Sequence, residues 1–299
     1  MQVFHFDDIV VLSPEEIKSV LNKIDDIPTL PMVAAKLLKT VNDPNFDVKE
    51  LSNIISMDQA VMAKLLRVAN SAFYAGNSEV KTIDQAVMRL GVSQVRSIVV
   101  GVSVIKSFAQ FKQFDFDVNN FWKHCLATAF LNKIIADMLE LDVAEDVWVC
   151  GIIHDIGKLV YAAYMPTVLT RLLNEVKEKK ISFFQAEKSL LKIDHTQIGR
   201  WLCEKWNIPK TIKEVALNHH EPPINEFMLG KITNYIAVTH ISDSIVKLSK
   251  IGNSGDYCSK LENQIWNYLD KSKFDTKSLL GRIKGFKKEI EEVFETLKT

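Results

Sequence analysis

The chain has 299 residues with 37 acidic and 37 basic side chains, so no net charge draws it to nucleic acid or to an acidic membrane surface. Hydrophobic residues make up 47% of the sequence and charged residues 25%, which is typical of a globular protein with a large core. The longest apolar run, residues 98–105, is too short to cross a bilayer. We therefore expect a soluble protein of one large domain or two smaller ones, with no membrane attachment.

The cysteines and the N-terminus both indicate a cytoplasmic location. The four cysteines form no CxxC pair, and all but the last lie in apolar helical segments, so we expect reduced thiols and no zinc knuckle. They are Cys125, Cys150, Cys203 and Cys258. The first ten residues contain Asp7 and Asp8 and lack the basic region of a secretory signal.

In the first part of the chain, polar residues followed by apolar residues at helical spacing predict a series of short helices. Residues able to cap a first turn mark four of the predicted helix starts: Ser13, Asp47, Asp58 and Ser93. Residues 27–31 contain two prolines and are expected to be extended. A short helix over residues 82–91 is predicted to end at Gly91, and the helix that Ser93 caps is predicted to end near Phe108.

From residue 116 onward the pattern predicts longer helices. These cover residues 118–140, 144–164, 167–179, 183–193, 196–206, 209–219 and 229–250. The tail, residues 257–299, has an amphipathic pattern with these apolar positions: Leu279, Leu280, Ile283, Phe286, Ile290, Val293 and Phe294. Its lysines, Lys284, Lys287 and Lys288, are expected on a solvated face. No segment alternates polar and apolar residues over any length, so the expected fold class is all-α. Four segments are predicted, at residues 1–24, 25–115, 116–250 and 251–299.

The apolar run of residues 147–153 ends in His154 and Asp155, with Lys158 one turn further on. An ionised carboxylate in such a buried setting costs several kcal/mol or more unless a cation pairs with it. Adjacent helical residues point about 100° apart, but they can still converge on one ion near a helix end. A metal cation would suit both side chains. The alternative is a hydrogen-bonded core histidine beside a capping or salt-bridged aspartate.

Further histidines and an aspartate lie in similar apolar helical surroundings. They are His124, His195, His219, His220 and Asp243. Imidazoles and carboxylates without a thiolate favour iron or manganese as the divalent metal, with zinc as a further candidate. Ligands drawn from separate helices are how helical bundles build dinuclear sites, so one or two ions are expected.

Several short motifs resemble the HDOD domain, the HD-related output domain of bacterial signalling proteins. The resemblance covers about residues 25–225, roughly two thirds of the chain. The motifs are TLP at 29–31, DP at 43–44, LLRVANSAFY at 65–74, AVMRLG at 86–91, FWKH at 121–124, GIIHDIGK at 151–158, DHTQIG at 194–199, WNIP at 206–209 and HH at 219–220.

The resemblance assigns roles to the candidate residues within the wider HD phosphohydrolase superfamily. It places His124, His154, Asp155 and Asp243 in the core metal set, and His195, His219 and His220 in the set that the cyclic-dinucleotide phosphodiesterase branch adds. Lys158 matches the lysine that faces phosphate, and Asp155 would bridge or orient the ions. Two positions depart from that branch: Asn120 stands where an acidic ligand is frequent, and Pro222-Pro223 replaces its Gly-Tyr-Pro signature.

Two functions are compatible with this pattern. The favoured hypothesis is a non-catalytic signal-transduction module with a metal site, whose partner is a signalling protein or a nucleotide. The alternative is a metal-dependent phosphohydrolase acting on a nucleotide or cyclic dinucleotide, with Lys158 and Asp155 as catalytic residues. Nucleic-acid binding is disfavoured because no basic patch with interleaved aromatic residues occurs. A serine or cysteine nucleophile is disfavoured because no nucleophile elbow occurs. The oligomeric state stays open.

Overall fold

A computed structural model describes residues 28–40, 47–74, 76, 78–108, 116–141, 146–223, 231–259, 261, 265 and 273–298. Regular structure in these ranges is helical, with no strand among them, which confirms the all-α fold class. The predicted helix at Ser13, the segment 1–24 and the DP motif at 43–44 lie outside the described residues.

Five helices make up the first half of the described chain: α1 (Met32–Lys39), α2 (Val48–Ile55), α3 (Gln59–Ala69), α4 (Ile83–Leu90) and α5 (Val92–Ser107). Asp47 accepts a hydrogen bond from the N–H of Glu50 at 2.8 Å, and Asp58 caps α3, as predicted. The prediction that Ser93 caps α5 is wrong. Gly91, at φ 83°, joins α4 directly to α5, so Ser93 already lies inside the first turn.

The second half is built around α6 (Val118–Met138), which packs against α7 and α13. The remaining helices of this half are α7 (Val147–Ile153), α8 (Gly157–Tyr164), α9 (Pro166–Lys179), α10 (Phe183–Leu190), α11 (His195–Lys205), α12 (Lys210–Asn218) and α13 (Lys231–Leu248). The buried helix α5 packs against α7 and joins the two halves through apolar contacts. Three cysteines are buried and Cys258 is exposed, and all four thiols are free, as predicted.

A continuous helix over residues 144–164 was expected, and the structure breaks it. Helix α7 ends at Ile153, and α8 begins at Gly157. The intervening turn is tightened, because the N–H of Ile156 binds the carbonyl of Ile153 and the N–H of Lys158 binds that of Asp155, three residues back in each case. This turn presents His154 and Asp155 at the junction of the two helices.

The crossing of α8 and α11 is closer than any side chain would allow. A Cβ atom on Gly157 would lie 2.0 Å from the carbonyl oxygen of His195 and 2.9 Å from the N–H nitrogen of Gly199. Only glycine permits this approach of two backbones. The contact brings the start of α11, and with it His195, next to the turn that carries Asp155.

The C-terminal helix α14 (Thr276–Lys298) packs against α6 and against α3 of the first half. Its predicted apolar face is confirmed at five positions: Leu279, Phe286, Ile290, Val293 and Phe294. Leu280 is 56% exposed, so its predicted inward position is wrong, because it lies one residue (about 100°) round the helix from Leu279. The last carbonyls of α14 accept hydrogen bonds from Lys64 and Arg67, as basic side chains often do at helix C-termini.

Within the described residues, no individual helix combines the length and apolar character of a membrane span. The pair α4 and α5, bent by 116° at Gly91, meets those criteria together by length and composition alone.

The close crossing at Gly157 gives a test of the fold. Gly157→Ala should lower the free energy of unfolding by about 1–3 kcal/mol, because the added methyl group overlaps the His195 backbone. Denaturant unfolding followed by circular dichroism measures this. The control is Gly281→Ala on the exposed side of α14, where a Cβ meets nothing within 4 Å. That change should leave stability unchanged or raise it by up to about 1 kcal/mol. Equal stability of the two variants would contradict the packing described.

Candidate metal centre

Asp155 lies at the centre of a buried cluster of histidines and carboxylates. Its side chain has no exposed surface, and neither does that of His154. One carboxylate oxygen, Oδ2, faces the side of the cluster formed by α6 and α13. The other, Oδ1, faces the side formed by α11 and α12. Two groups of four residues with metal-ligand atoms result, and Asp155 belongs to both.

The first group contains His124, His154, Asp155 and Asp243, whose ligand atoms all lie within 4.8 Å of one another. Nε2 of His124 is 3.0 Å from Oδ1 of Asp243 and 3.3 Å from Nε2 of His154. Nε2 of His154 lies 3.4 Å from Oδ2 of Asp155. Three separate elements supply these groups: α6, the turn between α7 and α8, and α13.

The second group contains Asp155, His195, His219 and His220. Nε2 of His195 is 3.0 Å from Oδ1 of Asp155, and Nε2 of His219 is 3.4 Å from the same oxygen. His220 is half-buried and stacks on Phe184, and its Nε2 lies 3.1 Å from Nε2 of His195. The start of α11 and the end of α12 therefore complete this side of the cluster.

Hydrogen bonds from Nδ1 to oxygen acceptors orient three of the imidazoles. His154 and His219 direct Nδ1 at the carbonyls of Gly151 and Ala216, at 2.8 and 3.1 Å. Carbonyls only accept, so Nδ1 is the donor and Nε2 is turned toward the cluster. His195 directs Nδ1 at Oε2 of Glu187 at 2.5 Å, and its backbone N–H donates to Oε1 of the same carboxylate. Such partners fix the ring and its tautomer in metal-bound histidines.

Two lysines and a further aspartate close the outer side of the cluster. Nζ of Lys158 is 2.9 Å from Oδ2 of Asp155, and Nζ of Lys247 is 2.8 Å from Oδ2 of Asp243. Both ammonium groups also contact Oδ2 of Asp256, at 3.1 and 3.0 Å. The three carboxylates and two lysines thus form one continuous network of buried charges.

The charges of the cluster shift the pKa values of its histidines in opposite directions. Burial lowers the pKa of His154, but Asp155 and Asp243 outweigh burial and raise it to about 9. Burial likewise lowers the pKa of His195, and Glu187 and Asp155 raise it to about 9. Burial lowers the pKa of His219 to about 4, because its contact with Asp155 compensates less. Burial also lowers the pKa values of His124 and His220.

The residues present fit a divalent metal ion. Three buried atoms that point into the cluster, Oδ1 of Asp155, Oδ1 of Asp243 and Nε2 of His219, make no well-directed hydrogen bond among the described residues, although imidazole or carboxylate atoms lie 3.0–3.4 Å from each. A buried polar atom without a partner costs about 1–3 kcal/mol, and more when it is charged. All three are good metal ligands with a free lone pair. Oxygen and imidazole nitrogen without thiolate is a donor set suited to iron, manganese or zinc.

The structure brings together every site residue expected from the sequence. Asn120, at the departing position, donates its side-chain amide to Asp117 at 2.7 Å, and its backbone carbonyl accepts a hydrogen bond from the N–H of Asn253 at 2.9 Å. Three buried residues of the network were missed: Glu187, Lys247 and Asp256. Glu187 follows Phe183 by one helical turn, and Lys247 follows Asp243 by one turn, so helical spacing could have indicated both. Asp256 lies in a loop, where no local pattern marks it.

Comparison with known proteins places this geometry in a family. The HDOD domain model matches residues 27–222. A solved HDOD domain protein of unknown function from Geobacter sulfurreducens superposes with a TM-score of 0.81 at 24% identity, covering 92% of this chain and 96% of the other. A "putative phosphohydrolase" from Shewanella amazonensis superposes with a TM-score of 0.64 at 25% identity, covering 93% and 98%. These likenesses agree with the all-α architecture.

An uncharacterized protein of Treponema pallidum is 25% identical over 209 residues, which is 69% of this chain. The match spans 40% of the length of that relative.

The opposite pKa shifts predict a stability maximum for protein freed of metal with a chelator. Unfolded histidines titrate near about 6.5. His154 and His195 titrate at about 9 when folded, so the stability that they contribute is full below pH 6.5 and is lost as the pH rises to 9. His219 has a pKa of about 4, so its contribution is lost as the pH falls from 6.5 to 4. Denaturant midpoints measured across this range should peak near pH 6.5.

His154→Gln tests whether His154 and His195 cause the loss of stability above pH 6.5, since it removes one of the two groups with a raised pKa. The decline of the midpoint between pH 6.5 and 9 should become shallower in this variant. A midpoint that stays level or rises over that interval in the unsubstituted protein would show that His154 and His195 are not held protonated by the neighbouring carboxylates.

Proposed function

This chain belongs to the HDOD family, and from that membership we propose that it is a regulatory signal-transduction module whose second half holds one or two divalent metal ions. The proposed ligands are His124, His154, Asp155 and Asp243 for one ion. The other ion would be held by the second group: Asp155, His195, His219 and His220. Iron or manganese suits these donors best, with zinc as a further candidate.

The observation that carries the metal proposal is the position of Asp155 between the two groups. Its two oxygens point to different sets of imidazoles, as a carboxylate does when it bridges two cations. Without a cation, the buried negative charges of Asp155 and Asp243 are balanced, among the described residues, by Lys158, Lys247 and protonated histidines. Divalent ions would replace those protons and engage the three atoms that make no well-directed hydrogen bond.

The closure of the centre supports a regulatory role. His124 is 1% exposed, Asp243 is 2% exposed and the other ligands of the first group have no exposed surface. Lys158 and Lys247 are also bound to carboxylates. In this conformation a substrate has no approach to the first group, so turnover would require an opening. A module that responds to a signalling protein or a nucleotide by changing this packing would act through differential affinity for the closed and open states.

The second candidate function is metal-dependent phosphodiester hydrolysis on a nucleotide or cyclic dinucleotide. The two adjacent groups of candidate ligands that share Asp155 support it, as does the likeness to the Shewanella amazonensis protein. Bound metal in such sites polarises phosphoryl oxygens and lowers the pKa of water. Lys158 would orient the phosphate group and neutralise its charge. Asp155, which belongs to both groups of candidate ligands, would orient the two ions relative to each other.

Metal content tests the first proposal. Protein purified without chelator or metal-affinity resin should contain one or two equivalents of iron, manganese or zinc per chain, measured by elemental analysis. Asp155→Asn should lose most of this metal, because the shared ligand is weakened on both sides. His220→Ala should lose metal from the second group alone, since that residue belongs to no other group.

Asp146→Asn is the matched control. Asp146 is also a buried carboxylate, but it pairs with Arg96 at 3.6 Å and belongs to neither group. Its metal content should equal that of the unsubstituted protein. Absence of metal from the unsubstituted protein, or equal content in Asp155→Asn and Asp146→Asn, would reject the metal centre.

Hydrolysis distinguishes the two candidate functions. The regulatory role predicts no turnover of bis(p-nitrophenyl) phosphate or of cyclic dinucleotides by protein loaded with iron, manganese or zinc. Metal-dependent turnover that falls by at least about 100-fold in His154→Ala and Lys158→Met, while both variants stay folded, would establish the hydrolase instead. The Asp146→Asn control should retain any such turnover.

A further inference from the structure

Residues 251–258 form a segment, here called the strap, that lies across the outer side of the metal centre. It follows α13 and turns twice with left-handed backbone, at Gly252 with φ 66° and at Gly255 with φ 91°. A Cβ on Gly252 would lie 2.3 Å from the backbone nitrogen of His124, so the strap rests directly on α6. The strap is therefore in contact with the helix that presents a proposed metal ligand.

The strap inserts one carboxylate, that of Asp256, into the charge network. This side chain is 3% exposed and accepts from four donors. Oδ2 receives the ammonium groups of Lys158 at 3.1 Å and Lys247 at 3.0 Å, and the hydroxyl of Ser254 at 2.9 Å. Oδ1 receives the backbone N–H of Phe183 at 2.8 Å. Asp256 thus occupies a fully formed anion-binding site.

These donors suit a phosphate group at least as well as a carboxylate. Three of the four donors lie outside the strap: the two ammonium groups and the N–H of Phe183, the first residue of α10, whose helix dipole also favours negative charge. Burial raises the pKa of Asp256, but Lys158 and Lys247 lower it to about 2, so its carboxylate is ionised at neutral pH. The two buried ammonium groups need an anion to balance their charge. A ligand that displaces the strap must therefore supply an anionic group in place of Asp256.

The strap is anchored at Ile251 and Ser254, whose side chains are buried, and is exposed at other positions. In the described part of the chain three backbone hydrogen bonds join it to other elements. They run from the N–H of Ile251 to Val246 at 3.2 Å, from that of Asn253 to Asn120 at 2.9 Å and from that of Tyr257 to Ile181 at 3.3 Å. Asn253, Tyr257 and Cys258 are exposed. Exposed residues and few backbone hydrogen bonds to other elements are features of segments that open locally.

The outer face of the strap borders a cleft of about 310 Å³ that carries positive charge. Gly252 and Asn253 form one wall of this cleft. Its charged lining residues are Lys123, Lys250, Lys287 and Glu291. An excess of lysines at a concave surface raises the local concentration of anions. An anionic ligand would therefore accumulate beside the segment that it must displace.

We propose that the strap is an autoinhibitory element and that Asp256 is an internal competitor for a ligand bearing a phosphate group. In the closed state Asp256 occupies the anion site and covers the metal centre. A phosphate or phosphoester of the ligand takes over Lys158, Lys247 and the N–H of Phe183, and the strap withdraws. The opening would expose the metal centre of the proposed function, and in that respect the proposal rests on it. The competition between Asp256 and the phosphate group does not require a metal ion.

Phosphate titration of labelled protein tests the competition. The exposed thiol of Cys258 lies in the strap, whereas the other three cysteines are buried, so a thiol-reactive fluorophore attaches there. Inorganic phosphate should change its fluorescence in a saturable way. Asp256→Asn should lower the half-saturating phosphate concentration by at least about tenfold, because a competitor that keeps the site closed most of the time is removed. Asp84→Asn, the same change at an exposed aspartate of α4, should behave like the unsubstituted protein.

A second variant applies if Asp256→Asn does not fold. Asn253→Ala removes the side chain that accepts from the N–H of Gly255 at 2.7 Å and leaves all four donors and Asp256 in place. It should loosen the strap and lower the half-saturating concentration by about threefold or more. Equal half-saturation in the unsubstituted protein and in every folded strap variant overturns the proposal.

Elemental analysis of the same samples separates this proposal from the metal centre. If the samples contain no metal as purified but Asp256→Asn still lowers the half-saturating phosphate concentration, the strap proposal is supported and the metal centre is rejected. Retained metal with no shift rejects the strap and leaves the metal centre in place.

Discussion

The burial of the Asp155 carboxylate is the constraint on which the second half of the structure depends. An isolated charge with no exposed surface costs several kcal/mol, so every element around it must supply a positive charge, a proton or a ligand atom. The turn between α7 and α8 sets its position, and α6, α11, α12 and α13 each direct an imidazole or a charged group at the same place. The bundle is thereby organised around one polar centre enclosed by apolar packing.

Compensating Asp155 creates further requirements at greater distance. The ammonium group of Lys158 neutralises Oδ2 of Asp155 and also pairs with the carboxylate of Asp256. Lys247 pairs with both Asp256 and Asp243. The raised pKa of His195 depends on Glu187, which binds both its ring and its backbone, together with Asp155. A buried network that is only partly satisfied is less stable than an apolar core, so these groups depend on one another. The strap is part of the same network, which connects an exposed segment to the proposed ligands.

Much of this architecture could be predicted, and the errors have local causes. Asp47 and Asp58 were predicted as caps, because a short polar side chain before an apolar helical pattern is a local signal. The helix predicted over 144–164 is divided, because the pattern continues through Asp155 while the crossing with α11 sets a turn there. The start of α5 was predicted two residues too late, at Ser93, because the positive φ of Gly91 lets this single residue both end α4 and begin α5. The expected domain boundaries remain predictions.

The sequence by itself determined the helical class, the family and the identities of the seven candidate ligand residues, because apolar periodicity and short motifs are properties of neighbouring residues. The tertiary structure alone decided that Asp155 is shared by two groups of histidines, that Glu187 forms hydrogen bonds with His195 and that Asp256 pairs with Lys158 and Lys247. These relations join residues as far apart as Lys158 and Asp256, which lie 98 positions apart along the chain. Only the packing of separate helices and one loop brings such groups within hydrogen-bonding distance, and no local pattern encodes that approach.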